Sequence, residues 1–440
     1  MFEQFQIPHG AMEIVKKLQD RGFKCYLVGG SVRDLLMGKC PDEWDLTTDA
    51  RPEEVAQSFQ KVVPTGLEFG TQLIILEDGK YEVTTFRTEG RYLDGRHPSI
   101  VNFSKELHED LSRRDFTVNA MAFDPVKGEL VDEYNGQKDL KKKIIRTVGD
   151  PLARFFEDGL RTVRACRFAA QLNFKIEKKT LSAVKQSLNV VQKVARERIH
   201  DEIIKVLTKA DYPSICFDYM LKTGLLNLFI PELVLAVGVK QPREFHKYDV
   251  FYHSLYACDA APKDRPAVRL AALLHDISKP ECKDGDHFYG HDQKGGEIAY
   301  AILKRLKFGN ELTNKVINLI KNHMFNYESS WTDAAVRRFI NRVGMENLLD
   351  LFALRIADTS AMEREIDSGY LLELKKRIDK IVADENALKV SDLAVNGQDV
   401  MQILQIGPSP KVGETLNSLL EKVIDDPALN QREILLKLIK

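Results

Sequence analysis

The pattern of apolar residues changes once along this chain, near residue 150, and that change limits the fold more than any other feature. Before it, short β-rich runs are separated by turn residues: Cys25-Tyr26-Leu27-Val28 running into Gly29-Gly30, then Trp44 to Thr48, Thr71 to Asp78, and Tyr81 to Arg87. After about residue 155 the apolar residues recur with a period near 3.6, as in 159–172 and 194–207, and strand signals nearly vanish. The pattern predicts an α+β protein, a mixed α/β head followed by helical domains. Turn residues at Gly149-Asp150-Pro151, between Pro231 and Pro242, and between Asp367 and Val390 divide it into 1–150, 151–230, 231–365 and 366–440.

Composition excludes several classes. A net charge of -1 gives no global sign of nucleic-acid binding, so any RNA contact must come from local basic patches. The 6 cysteines are scattered without a CxxC pair, which argues against a zinc knuckle or a disulfide framework. The N-terminus has no basic region followed by an apolar run, and no stretch is apolar enough to span a bilayer. A reduced, cytoplasmic location without membrane contact is the expectation.

Two features of the head carry chemistry. Gly29-Gly30-Ser31 lies between an apolar strand and a helix start, where glycine admits close approach and a helix N-terminus offers free N–H groups. Arg33 in the first turn is placed to pair with phosphate. Further on stands Pro41-Asp42-Glu43-Trp44-Asp45. Residues i and i+2 of a strand share a face, so Glu43 and Asp45 project together and repel unless a cation joins them. Mg²⁺, with its preference for oxygen, suits that pair. Read singly, the first feature is also an ordinary tight turn and the second a solvated acidic turn.

In this order, GGSVRDLLMG followed by EWDLTT resembles the signature of class II tRNA nucleotidyltransferases, the family of CCA-adding enzymes and bacterial poly(A) polymerases. The family usually carries Asp-x-Asp. Here Glu43 takes the first place, unless Asp42 does so through a bulge; the period of two favours Glu43. Further blocks match in order. Arg113-Arg114-Asp115-Phe116-Thr117-Val118-Asn119-Ala120 resembles the family's ribose-contacting block, which implies that role for Arg114 and Asp115. Glu157-Asp158-Gly159-Leu160-Arg161 resembles its nucleotide-recognition block. On a continuous helix Asp158 and Arg161 share a face, and a carboxylate with a guanidinium matches the Watson–Crick edges of both C and A. Arg164 and Arg167, at the following helical positions, are expected to support phosphates or stiffen the site. Arg196 to Glu202 resembles the family's structural neck motif. Thr84 to Pro98 resembles the flexible loop that CC-only enzymes lack. The resemblance implies a pyrophosphate-releasing transferase with Mg²⁺ as cofactor and CTP, ATP and the tRNA 3′ end as partners, with no obligate protein partner. A-only addition and poly(A) synthesis stay open as alternatives.

A second constellation lies in 246–358. Of the 10 histidines, six fall between His246 and His323. Leu274-His275-Asp276-Ile277 resembles the motif of HD-superfamily metal-dependent phosphohydrolases, which implies His253, His275, Asp276 and Asp358 as ligands of Mn²⁺, Fe²⁺ or Ni²⁺. His291 and His323 would then hold a second metal or a phosphate. The opposing readings are a degenerate scaffold, or a stand-alone phosphohydrolase with a regulatory head. In the tail, Ser391 to Val400 and Val412 to Leu420 resemble the family's domain that holds the tRNA elbow. Lys375, Lys376, Arg377 and Lys380 form either a phosphate stripe or a solvated helix face.

Overall fold

The computed structural model describes residues 7–66, 70–89, 101–242, 247–362, 369–384 and 389–439. Residues 90–98 of the flexible-loop block, His246 and Asp367 lie outside them. Two compact units divide the chain, Met1–Val234 and Leu235–Lys440.

The head is built on a seven-stranded sheet. Its strands are β1 (Cys25–Val28), β2 (Asp45–Thr48), β3 (Val62–Gly66), β4 (Thr71–Leu76), β5 (Gly79–Thr85), β6 (Ala122–Asp124) and β7 (Glu129–Val131), in the order β3-β4-β5-β2-β1-β6-β7. β1 and β2 are central; the apolar character of β1 follows from burial on both faces, and the buried Thr47 and Thr48 of β2 donate to backbone carbonyls. Helix α1 (His9–Asp20) presents Ala11, Ile14, Val15 and Leu18, spaced for one helical face, to Leu27, Leu46, Ile74 and Val83 of the sheet. α2 (Gly30–Leu36) starts directly after β1. Val28 stands opposite Asp45 on antiparallel β2, and Asp45 stands opposite Glu82 on parallel β5. The register thus gathers the Gly29-Gly30 turn and two carboxylates at one end of the sheet.

Helices α3 (Pro151–Glu157), α4 (Leu160–Leu172) and α5 (Arg196–Lys209) follow in the same unit, with α4 packed on α5. In the second unit α6 (Val250–Ala260) packs on α7 (Pro266–Leu274) and α10 (Leu348–Ala361), while α8 (His291–Arg305) packs on α9 (Asn310–Asn322). The tail has its own core around Val400, Leu419, Leu420, Val423 and Leu435. Among the described residues no helix is long and apolar enough to cross a membrane.

Candidate active site and a buried histidine–aspartate cluster

Gly29 makes the first turn with φ 75, a conformation that a side chain disfavours. A Cβ there would also lie 3.1 Å from Nη1 of Arg114 and 3.8 Å from Oδ2 of Asp45, so the glycine lets both groups approach the turn. Asp110, fully buried, holds Arg114 from behind at 3.2 Å. Asp45 begins β2, and Glu43 lies on the bend before it rather than on the strand. The alternation that would align them on a strand is therefore not in force; the bend brings Glu43 into the electrostatic field of Asp45 instead. Asp42 forms an ion pair with Lys209 at 2.8 Å.

A third carboxylate joins them. Glu82, the register partner of Asp45, was not among the residues singled out from the sequence. Burial pushes the Asp45 carboxyl above the usual range; Arg114 pulls it back and Glu43 pushes it further up. Glu82, whose outer edge meets solvent, is raised by partial burial and by Asp45 and Glu43. An open cavity of about 470 Å³ adjoins all three. Three hard oxygen donors whose mutual repulsion Arg114 only partly offsets are a donor set suited to Mg²⁺.

Arg33 is buried, and it does not extend toward solvent as a free phosphate hook. Its Nη1 donates to Oδ1 of Asn119 at 2.7 Å, its Nε donates to Asp34 at 2.9 Å, and a Cβ at Gly30 would lie 3.5 Å from its Nη2. Arg33, Arg164 and Arg167 all face the Phe168 ring, at 5.5, 5.4 and 3.8 Å from its centre. This arrangement ties the head to α4.

The recognition block departs from its expected geometry. Asp158 and Arg161 are not on one helix: α3 ends at Glu157, Asp158 has extended backbone, and α4 begins at Leu160. At the break Gly159 packs closely on a later segment: a Cβ there would sit 3.1 Å from the backbone of Val190 and Val191. Asp158 accepts from the backbone N–H of Leu160 at 3.0 Å and from both Nη atoms of Arg198 at 3.1 and 2.7 Å. Arg161 donates to Glu157 at 2.5 Å and to the carbonyls of Arg154 and Arg113 at 3.2 and 3.1 Å. Each member of the pair is thus fixed by a partner of its own. Arg164 ties Asp115 at 2.8 Å, and Asp115 also accepts from the backbone N–H of Phe116. Arg167 is buried and pairs with Glu202 at 2.5 Å, a stiffening role away from solvent. Arg198 and Glu202 of the neck motif are therefore the clamps of the recognition block. Their i, i+4 spacing on α5 was the available signal.

In the second unit, six buried side chains from separate elements converge. His253 lies on α6, His275 and Asp276 on the turn after α7, His291 at the start of α8, His323 at the end of α9, and Asp358 on α10. His253 Nε2 lies 2.9 Å from Asp358, and His275 Nε2 lies 3.2 Å from Asp276 and 3.5 Å from Asp358. The Nε2 atoms of His291 and His323 are 3.3 Å apart and 3.5 and 3.9 Å from Asp276. His275, His291 and His323 each direct Nδ1 at a backbone carbonyl three residues earlier, at 2.7, 2.7 and 2.6 Å. That outer contact fixes the tautomer and turns Nε2 inward, as ligating histidines require. Burial lowers His275, but Asp276 and Asp358 override it and hold the ring up at about 10. Burial and the charge of His275 push His323 down to about 4. Both oxygens of Asp276 are buried without a well-formed hydrogen bond, faced by Lys279 Nζ at 2.7 Å. Two triads, His253–His275–Asp358 and His275–Asp276–His323, have ligand atoms close enough to hold a cation.

The tail stripe resolves partly into ion pairs. Arg377 binds Asp333 at 2.7 Å, and Lys375 binds Asp379 at 2.7 Å.

Comparison with known proteins agrees with this architecture. Residues 25–146 match the poly A polymerase head domain, 173–236 a probable RNA- and SrmB-binding site of polymerase A, and 294–439 a putative domain 2 of tRNA nucleotidyltransferase. The CCA-adding enzyme of Enterococcus faecalis is 32% identical over 433 residues, covering 98% of this chain and 95% of that one. That of Ligilactobacillus salivarius is 33% identical over 439 residues, covering 97% and 95%. The crystal structure of the Bacillus stearothermophilus CCA-adding enzyme in complex with CTP superposes with a TM-score of 0.74 at 27% identity, covering 98% of this chain and 95% of that chain. The head and its matches define a nucleotidyltransferase. Within that class, the chain belongs to the CCA-adding enzyme family.

Proposed function

We propose that this enzyme adds CCA to the 3′ end of tRNA from CTP and ATP, without a nucleic-acid template. The observation that carries the reading is the placement of Asp45 opposite Glu82, with Glu43 just before it, at the sheet end that bears the Gly29-Gly30 turn, in a chain of this family. Glu43, Asp45 and Glu82 would hold Mg²⁺, which when bound activates a 3′-hydroxyl and stabilises departing pyrophosphate. The Gly30 turn receives the triphosphate, and Arg114 projects toward it. Arg33 acts by holding the turn and Asn119 in place. Arg114 and Asp115, the latter held by Arg164, contact the ribose.

Asp158 and Arg161 read the base edge. Asp158 accepts from the exocyclic amine of C or A, and Arg161 donates to the ring acceptor beside it. U and G place donors and acceptors the other way round. Because Arg198 and Glu157 clamp the two side chains, the reading geometry is set before nucleotide arrives. Catalysis rests on positioning and charge stabilisation. With Mg²⁺ and a tRNA lacking its 3′ terminus, the protein should incorporate C and A and refuse U and G. Uptake of all four, or of none, removes the reading.

The buried cluster favours a second activity, metal-dependent phosphohydrolysis. His253, His275, Asp276 and Asp358 would hold Mn²⁺, Fe²⁺ or Ni²⁺, and His291 and His323 would hold a second ion or a phosphate. The inward Nε2 atoms and the two buried ligand triads support it over a degenerate scaffold. Hydrolysis of 2′,3′-cyclic nucleotides after reconstitution with each metal is the test; inactivity with all of them sinks it.

A further inference from the structure

A cluster of exposed lysines forms where the last part of the head meets the neck. Ile144-Ile145 pairs in parallel with Lys175-Ile176, and the backbone N–H of Lys175 donates to the carbonyl of Lys143 at 2.9 Å. That pairing places Lys141, Lys142 and Lys143 beside Lys175, with Lys178 and Lys179 one short step along the chain. All six are exposed. Among the described residues none has a carboxylate within ion-pairing distance. The acids that might neutralise them are engaged elsewhere: Asp139 and Glu177 both bind Arg146, at 3.0 and 2.7 Å, and Asp218 binds Lys222.

Local folding preferences do not explain the whole set. Lys141 and Lys142 suit the last turn of the helix Gly136–Lys142, where cations are favourable. Lys143, however, adopts φ 55 at the cap, where glycine would be less strained. Lys178 and Lys179 occupy the first turn of Lys178–Gln186, the end at which the helix dipole disfavours positive charge. Three of the six positions, Lys143, Lys178 and Lys179, thus carry lysine against a local preference, in a chain whose net charge is only -1. The set lacks the planar forks that read base edges and offers compact point charges, which suit phosphate regardless of sequence.

We propose that Lys141, Lys142, Lys143, Lys175, Lys178 and Lys179 form a docking surface for the sugar–phosphate backbone of the RNA substrate. The proposal rests on the tRNA reading above. It assigns these lysines to holding the body of the RNA, separate from the groups that choose the nucleotide.

The test is steady-state CTP addition to tRNA by the full chain across a salt series, for wild type and for K141E/K142E/K178E/K179E. The KM for tRNA should rise ~10-fold or more, and the slope of log KM against log salt should fall by about 0.7–0.9 for each phosphate that is no longer neutralised. The kcat and the KM for CTP should stay unchanged. The pairs K141E/K142E and K178E/K179E should each produce part of the change, which keeps the test informative if the quadruple variant misfolds. The corresponding Lys→Arg variant should retain the wild-type KM and slope. Wild type that extends tRNA while the reversed variants keep its KM and slope overturns the surface alone. Wild type that extends no tRNA overturns the parent reading and the surface with it.

Discussion

The two acidic centres of this protein are built on opposite plans. At the head, Glu43, Asp45 and Glu82 line one open cavity at the end of a sheet, and the polar groups around the site are fixed by partners outside it. In the second unit, His253, His275, Asp276, His291, His323 and Asp358 are buried and face one another. A transferase must admit a triphosphate and an RNA end, so its carboxylates stay accessible and its precision comes from clamps such as Arg198 on Asp158. The closed cluster has its orientation built into backbone contacts at Nδ1.

The sharpest way to separate the centres is to disable one. Asp45→Asn should lower kcat for nucleotide addition by ~10³-fold or more, since the loss removes charge stabilisation of the reacting groups. Metal binding by the cluster, read by calorimetry, should be unchanged. In the reverse experiment, His275→Ala with Asp276→Ala should abolish hydrolysis of 2′,3′-cyclic nucleotides and metal binding there, leaving addition intact. If either variant silences both activities, the centres are not independent and the comparison fails.

Smaller effects probe the clamps. Arg164→Met leaves the buried Asp115 carboxylate without its ion partner and should cost about 3–5 kcal/mol in chemical denaturation. Burial raises the Asp115 carboxyl, but Arg164 overrides it and holds it below the usual range. Such a group stabilises the fold above its unfolded pKa of about 3.9, and that contribution is lost as pH falls through the lower folded value. Stability of wild type should therefore fall in strong acid, and the Arg164→Met variant should show a weaker dependence. Arg198→Met frees Asp158 and should relax selection of C and A over U and G by about 10–100-fold, through loss of a charged hydrogen bond of about 1.5–3 kcal/mol.

The legible parts of the molecule were those written in local sequence. The change of period near residue 150, the glycine turn after β1 and the adjacent His275-Asp276 pair all depend on neighbours in the chain. What escaped depends on contacts between distant segments. Glu82 joins Asp45 only through the pairing of β5 with β2, and its own run reads as an ordinary strand. The helix breaks at Asp158, whose carboxylate is held by Arg198 on a later segment, so the expected shared helical face does not form. Arg33 looked like a phosphate hook because Asn119, its partner, lies far along the chain. In each case the residue type was informative and its partner was not.

The most direct test of CCA addition is a single-nucleotide-resolution extension assay. Purified protein and Mg²⁺ are given three tRNA transcripts, ending at the discriminator base, at C and at CC, each with CTP, ATP or both. Extension of the first transcript by two nucleotides with CTP alone, and by three with both, is the predicted result. Growth only of the CC-ended transcript with ATP would contradict it and make the protein an A-adding enzyme.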